Sequence, residues 1–538
     1  MLVATTGRCP RRAVLPSRVQ ARPWCRWEVG LPLWFRYRSR SVALVALLIT
    51  ACKDEFPNAP ALALAIDTTA GWHDTVAVAD VDTLQIKVAL AGGGSVSGVQ
   101  VHWESSNPTK LEVTRLELQA GQEKDTLTLQ LRTVITAHAR DSGVIITATV
   151  DRAGFERKAF SRKITVMERW IAVSAGAMHT CAIAADSSAY CWGAGDKGRL
   201  GRGRPLDSSV PVPVTGVGIF RFVAINAGEE TSCGIVAEGV AYCWGAGIHG
   251  SLGNGDASEV DRFIPVQVSG PTLRSLDVGT VSCGLADDST ALCWGTNVSG
   301  QLGFNPNSNQ SLSICLDVTP CSLVPRLVWV DLSTPTRYQA ISVGDNHTCG
   351  LSASPQSGSA YCWGTGLQGA LGNASTMFSP IPIPVSGGLA FGSLSAGGGH
   401  TCGIATSAIT YCWGANSEGQ LGSGTTRDTL TPVAVKGGSF AAITAGRQHT
   451  CAITALGAAF CWGMGSAGQL GNGATGRQTS PATVTGNLIF ETISAGAFHT
   501  CGLAKGGALY CWGQGARGRL GNGSNGDRLT PTRVLEPQ

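Results

Sequence analysis

The residues best suited to chemistry are cysteines. Of 19 in the chain, fourteen form a repeated pair: Cys181 with Cys191, Cys233 with Cys243, Cys283 with Cys293, Cys349 with Cys362, Cys402 with Cys412, Cys451 with Cys461, and Cys501 with Cys511. In five copies a histidine stands two residues before the first cysteine: His179, His347, His400, His449 and His499. Two thiols and an imidazole suit a metal site. Yet Thr231 and Val281 replace the histidine in two copies that keep both cysteines. A metal site would not keep both thiols and lose the imidazole, nor is this spacing that of a zinc finger. Disulfides fit better. Between Cys181 and Cys191 lies Asp186-Ser187-Ser188, which is turn chemistry, so a hairpin there sets the cysteines opposite each other within disulfide reach. Buried free thiols are the competing reading. The pair of Cys349 and Cys362 is three residues longer, and the excess falls at the turn around Ser354–Gly358. Cys315 and Cys321 form an eighth pair inside an insertion.

Other reactive constellations are missing from the sequence. There is no Gly-x-Ser-x-Gly elbow, no His-Glu-x-x-His and no P-loop. Five segments match Gly-x-Gly-x-x-Gly, at 193–198, 245–250, 364–369, 463–468 and 513–518. No helix follows to receive a phosphate, so they are not nucleotide loops. The second glycine becomes Asn297 or Asn416 in other copies, which suggests a left-handed turn position. No cofactor and no metal is expected.

The elements that position these residues repeat. Trp192, Trp244, Trp294, Trp363, Trp413, Trp462 and Trp512 each follow the second cysteine, and most steps are about fifty residues. Each copy holds four short apolar segments bounded by glycine-rich turns, which are strands. Glycine is abundant, 71 of 538 residues, and disfavours helices. Four strands, seven times, predict an all-β chain with a seven-bladed β-propeller over 168–538. The segment Pro531–Val534 is expected to join the first strand at Ile171–Gly176 in one blade and so close the ring. Residues 56–167 lack cysteine and alternate apolar with polar residues, as at 82–89, 98–103, 126–132, 144–150 and 161–166. That predicts a β-sandwich before the propeller.

Three resemblances sharpen this reading. The Ala-Gly-x-x-His-Thr-Cys, Tyr-Cys-Trp-Gly and Gly-x-Leu-Gly-x-Gly stretches (the last at Gly518–Gly523) resemble the regulator of chromosome condensation family, whose fold is a seven-bladed propeller. Its eukaryotic members imply guanine-nucleotide exchange on a small GTPase. The paired cysteines depart from those members and suit an oxidising compartment. Trp103 lies in Val101–Pro108, which resembles bacterial Ig-like domains. The run Leu48-Ile49-Thr50-Ala51-Cys52 resembles a lipoprotein lipobox, with Cys52 as the lipidated residue.

Charge agrees with export. Residues 1–52 hold nine arginines, no lysine and one acid, Glu28, so the whole-chain charge of +4 becomes −4 without them. The apolar run Val42–Ala51 suits a signal and is too short to span a bilayer. An ordinary secretion signal is the other reading, and the long leader points to a start further along. Nucleic-acid binding loses its electrostatic argument. The insertion between Phe304 and Thr336, with Asn305, Asp317 and Trp329, is a candidate binding loop on the propeller rim. The expected function is an exported, lipid-anchored binding or scaffold protein of the cell envelope that recognises a protein or glycan. The alternative is nucleotide exchange on a small GTPase. No enzyme activity is expected.

Overall fold

The computed structural model describes residues 169–537 apart from 217–219, 305–312, 316–318, 330–336 and 354–357. Before residue 169 it describes mainly the backbone of nine strands. The chain divides into two units, one ending at Val166 and one running from Met167 to Gln538 with a short piece, Ala77–Ala79.

In the first unit the strands form two antiparallel sheets. One contains Val81–Ala91, Leu111–Glu123 and Thr126–Ala137, and the other Gln100–Ser105, Asp141–Asp151 and Lys158–Met167. The five predicted strand runs all coincide with or overlap these strands. The expected export signal, including Cys52, lies outside the described residues except for the strand Val45–Leu48, which pairs with Ala61–Ile66.

The second unit is a seven-bladed propeller. Each blade is an antiparallel sheet, and in all but the third the strands pair in the order in which they follow one another in the chain. The first blade uses Trp170–Ala175, His179–Ala184, Ala189–Gly193 and Ser208–Pro213. The seventh uses Phe490–Ala495, His499–Ala504, Leu509–Gly513 and Arg528–Arg533. The loops after the first and third strands of every blade therefore share one face, called the loop face below. The hairpins between second and third strands lie on the other.

Two expectations fail here. The last strand does not join the first in one blade: Arg528–Arg533 pairs with Leu509–Gly513, and Trp170–Ala175 pairs with His179–Ala184. Ser208–Pro213 already completes the first blade, so no strand is left over for exchange. The second glycine of the Gly-x-Gly-x-x-Gly loops is also not left-handed. Gly195, Gly247, Gly366 and Gly515 have φ between −92° and −109°. Crowding is the reason for glycine: a Cβ at Gly195 would lie 1.9 Å from the Leu206 carbonyl oxygen. Asn416 tolerates the place because its side chain bridges the loop, donating to Thr425 and Arg427 carbonyls at 3.0 and 2.9 Å.

The cores lie between blades. Each repeated tryptophan is fully buried. Six pack against the aromatic residue that opens or precedes their own first strand, as Phe391 does with Trp413 at 5.7 Å.

One disulfide spans the central hairpin of every blade. Cys181 is joined to Cys191, Cys233 to Cys243, and Cys283 to Cys293. In the fourth to seventh blades Cys349 is joined to Cys362, Cys402 to Cys412, Cys451 to Cys461, and Cys501 to Cys511. The two cysteines of each pair are register partners on adjacent strands. Their Cα atoms are 4.0–4.1 Å apart. The longer hairpin of the fourth blade keeps this register, because Cys349 still faces Cys362. Cys315 and Cys321 are likewise joined. Their insertion adds Ser313–Ile314 as a fifth, outermost strand of the third blade.

Candidate binding site on the loop face

Three rings of contacts lock neighbouring blades around the axis. The first uses the penultimate residue of each first strand. Ser174, Ser342, Ser395, Thr444 and Ser494 accept the next blade's backbone N–H at 2.9–3.1 Å. Asp277 accepts from Val343 at 2.8 Å, and Asn226 instead donates to the Leu276 carbonyl at 2.7 Å. Burial raises the pKa of Asp277.

The second ring is a collar of glycines: Gly176, Gly228, Gly279, Gly344, Gly397, Gly446 and Gly496. In six junctions the residue after the glycine donates its N–H to the next blade's glycine carbonyl, including Ala497 to Gly176 at 3.1 Å, where the seventh blade meets the first. A side chain does not fit. A Cβ at Gly397 would lie 2.3 Å from the Gly446 carbonyl oxygen.

The third ring uses the histidines. His179 Nε2 meets Ser232 Oγ of the next blade at 2.7 Å, and His347, His400, His449 and His499 meet Thr401, Thr450, Thr500 and Thr180 at 2.8–2.9 Å. These hydroxyls each donate to a carbonyl of the preceding blade, as Thr450 does to Gln420 at 2.8 Å. The hydroxyl hydrogen is thus committed, so the imidazole Nε2–H must donate. Each Nδ1 is buried with no hydrogen-bond partner. Burial holds these imidazoles neutral. It lowers His347 and His449 to about 4 and His400 to about 3. Burial also lowers His179 to about 3, aided by the nearby cations Arg199 and Arg519. These histidines thus join blades.

At four of these five junctions the carbonyl that receives the hydroxyl also receives the next blade's tryptophan, as with Trp462 Nε1 to Gln420 at 2.9 Å, whereas Trp192 Nε1 at the closing junction is buried with no hydrogen-bond partner. At the closing junction Thr180 donates to the Arg519 carbonyl at 2.8 Å, and the Arg519 guanidinium donates to the Ala177 carbonyl at 3.0 Å. Burial lowers the Arg519 pKa to about 10.

The loop face carries the groups still open to a ligand. At the axis Arg447 reaches across to Asp345 at 3.0 Å and Glu229 at 2.9 Å. Burial raises the pKa of Asp345 despite Arg447. Near the rim a chain of ion pairs crosses three blades: Arg517 holds Asp207 and Asp196 at 2.7 and 2.8 Å, and the buried Arg199 holds Asp196 and, at 3.0 Å, Glu230. Arg517 keeps the Asp207 carboxyl below its ordinary range.

Between the second and third blades this face opens into a cavity of about 530 Å³. Thr231, Thr280, Ser299 and Asn346 line it together with Glu229, Glu230, Ile248 and Val298. The third ring is broken here, because Thr231 and Val281 replace histidine. That replacement was visible in the sequence, but not the space beside it. Of the three residues singled out in the predicted loop only Trp329 is described. It follows the strand Pro320–Leu327 of the third blade, half-buried, and its backbone N–H donates to Gly303. Its strand runs away from the loop face. Asn305 and Asp317 lie outside the described residues. Among the described residues no group of three or more His, Cys, Asp or Glu is placed to hold a metal ion.

Comparison with known proteins agrees with this architecture. The family model of the regulator of chromosome condensation (RCC1) repeat matches 186–235, 238–285, 288–351, 410–453, 457–503 and 506–538. A second RCC1-repeat model matches 170–199, 440–469 and 490–519. The ultraviolet-B receptor UVR8 of Arabidopsis thaliana is 28% identical over 261 residues, 48% of this chain and 54% of that protein. The regulator of chromosome condensation of Xenopus laevis is 32% identical over 113 residues, 21% of this chain and 26% of that protein. The chain thus spans about half the length of the first relative and a quarter of the second. Yeast RCC1 (Prp20), solved with Kap60, superimposes with a TM-score of 0.55 at 19% identity, over 69% of this chain and 84% of its own. Human WBSCR16 gives 0.55 at 17%, over 76% and 99%. At such identities the two structures speak for the fold alone. The first family model covers more than half of the chain, and the chain belongs to the RCC1 repeat family.

Proposed function

We propose that this chain is an exported binding or scaffold protein, anchored by lipid at Cys52, that holds an envelope or extracellular protein on the loop face of its propeller. The observation that carries the binding role is the cavity between the second and third blades, open on the face where the charged loops gather. The paired cysteines of all seven blades support an oxidising compartment. An Ig-like sandwich over 56–167 would serve as the spacer between anchor and propeller. Family members differ in what they do, so fold supports a binding role without naming the partner.

Cross-linking in intact cells, followed by mass spectrometry of cross-linked peptides, tests this. The proposal expects partner links from loop-face positions such as Lys197. Links confined to the hairpin face, or a cytosolic location for the chain, would contradict it.

Nucleotide exchange on a small GTPase is the second reading. It rests on the similarity to the regulator of chromosome condensation, whose yeast counterpart is described with binding properties to Gsp1p and histones. Release of labelled GDP from a GTPase, accelerated by the purified propeller, would favour it.

A further inference from the structure

The loop face is not uniform around the ring. In the second, third and fourth blades the fourth residue of the Gly-x-Gly-type turn is a large apolar one: Ile248, Val298 and Leu367. The matching residues elsewhere are Asp196, Ser417, Ser466 and Ala516. Val298 and Leu367 are 70% and 67% exposed. Two further loop segments add to them. Val260 lies with its carbonyl against Gly247, beside Ile248, and is exposed. Met377 lies the same way against Gly366, beside Leu367, and with Phe378 is more than 60% exposed. The residues matching Met377 in the next three blades are Arg427, Gly476 and Gly526. Leu206 of the first blade lies the same way against Gly195 and is 53% exposed, so an apolar arc runs over the first to fourth blades, whereas the matching positions of the fifth to seventh are polar or small. Such a patch marks a contact surface.

The cavity lies within that arc, with Ile248 and Val298 on its wall. Its lining carries the carboxylates of Glu229 and Glu230 and the imidazole of His249, with no lysine or arginine. Each carboxylate already touches an arginine, yet both clusters keep one negative charge in excess. Arg447 is shared by Glu229 and Asp345. Arg199 and Arg517 are shared by Asp196, Asp207 and Glu230. A carboxylate bound through one oxygen keeps acceptor capacity on the other. Hydroxyls of Thr280 and Ser299 and the Asn346 amide add neutral polar partners. A cavity with an apolar rim and acidic walls fits a long cationic side chain, whose methylenes lie on the rim while its head reaches the carboxylates.

We infer that the second-to-third-blade cavity receives a lysine or arginine side chain of a protein partner whose neighbouring apolar residues rest on the Ile248–Val298–Leu367 arc. This rests on the protein-binding reading above and adds the chemistry of the partner. The repeat itself supplies a blocking variant. Thr231 stands where five blades carry a buried imidazole bonded to the next blade, and Ser232's counterpart in the third blade, Ser282, is a hydroxyl able to receive it. Thr231→His completes the repeat pattern and sets an imidazole into the cavity wall beside Glu230, toward Ser282.

The test uses the full chain and n-butylguanidinium as probe, with neutral n-butylurea as control, followed by amide NMR shifts. Saturable shifts confined to cavity residues, given by the guanidinium and at least about tenfold weaker in Glu230→Gln, for loss of a charge-assisted contact, are expected. Thr231→His should abolish them while keeping the parent's melting temperature. Equal binding of butylurea, no saturable shift, or unchanged binding in Thr231→His would overturn the inference. Leu367→Asp is a second variant, on the arc but outside the cavity lining. It should leave the small probe bound but remove cross-links to the partner on this arc. Loss of the cross-links alone in the parent would instead count against the protein-binding reading.

Discussion

At the residue scale the histidines decide how the molecule responds to acid. Their imidazoles are buried, neutral and committed through Nε2–H, so protonation would force an unpaired cation into the junction. Their folded pKa values lie below the ordinary 6.5. The unfolded chain therefore binds protons first as pH falls. The stability from these groups is complete above about 6.5 and is lost as pH drops toward 3–4, at up to about 1.4 kcal/mol per pH unit for each histidine. Asp277 and Asp345, with raised values, act in the opposite sense at the acidic end. Denaturant melts between pH 7.5 and 4.5 should show a steep loss of stability. His449→Asn should flatten the slope by about one proton; an unchanged slope would remove the histidines from the account. The glycine collar gives a second residue-scale test. Gly397→Ala pushes a methyl into the Gly446 carbonyl and should cost more than about 2 kcal/mol, whereas Gly476→Ala, with open space around it, should stay within about 0.5 kcal/mol.

At the element scale the hairpin was legible in the sequence and the junction was not. A constant cysteine spacing with Asp186-Ser187-Ser188 at its centre fixes register by local geometry, and Cys181 does face Cys191. The same spacing sets Cys233 against Cys243, Cys283 against Cys293, Cys451 against Cys461 and Cys501 against Cys511. Four strands per repeat follow from short apolar runs between turn residues. The contacts that make blades cohere join residues about fifty apart, as His449 does Thr500, and no local pattern announces them. The glycine at position 195 misled for a related reason. Its constraint comes from the opposite arm of its own loop, not from its own φ. The candidate insertion was placed on the rim from its excess length. The structure uses part of that length as a fifth strand. Closing a loop with its cysteines 10 residues apart, or 13 for Cys349 and Cys362, each blade pair contributes about 2–3 kcal/mol in the chain-entropy model. Replacing Cys402 and Cys412 together by alanine should lower stability by that amount in urea melts of oxidised protein. No difference would show that the pair adds nothing beyond packing.

At the scale of the whole molecule the ring closes without a shared blade. The seventh and first blades meet through the same three contacts as the four other junctions that keep the histidine: Ser494 to Ala175, Ala497 to Gly176, and His499 to Thr180. The closing junction should therefore be energetically ordinary. Thr180→Val and Thr401→Val each strip a buried imidazole of its partner, and each should cost about 1–3 kcal/mol by calorimetry or urea melts. A much larger loss at Thr180 would mean that closure depends on a special latch. Five of the seven junctions share one contact set and the two that flank the third blade lack the histidine, which leaves function to the loops that differ, and the exposed apolar ones gather above the first to fourth blades.

The central claim is that this propeller works outside the cytosol, tethered and stapled. Intact mass of the mature protein from membrane and soluble fractions, with thiols alkylated before and after reduction, tests it most directly. The account predicts a membrane form that begins at Cys52, carries lipid mass and takes up alkylating reagent only after reduction. A full-length soluble form with freely alkylated cysteines would contradict it and would make nucleotide exchange the reading to pursue.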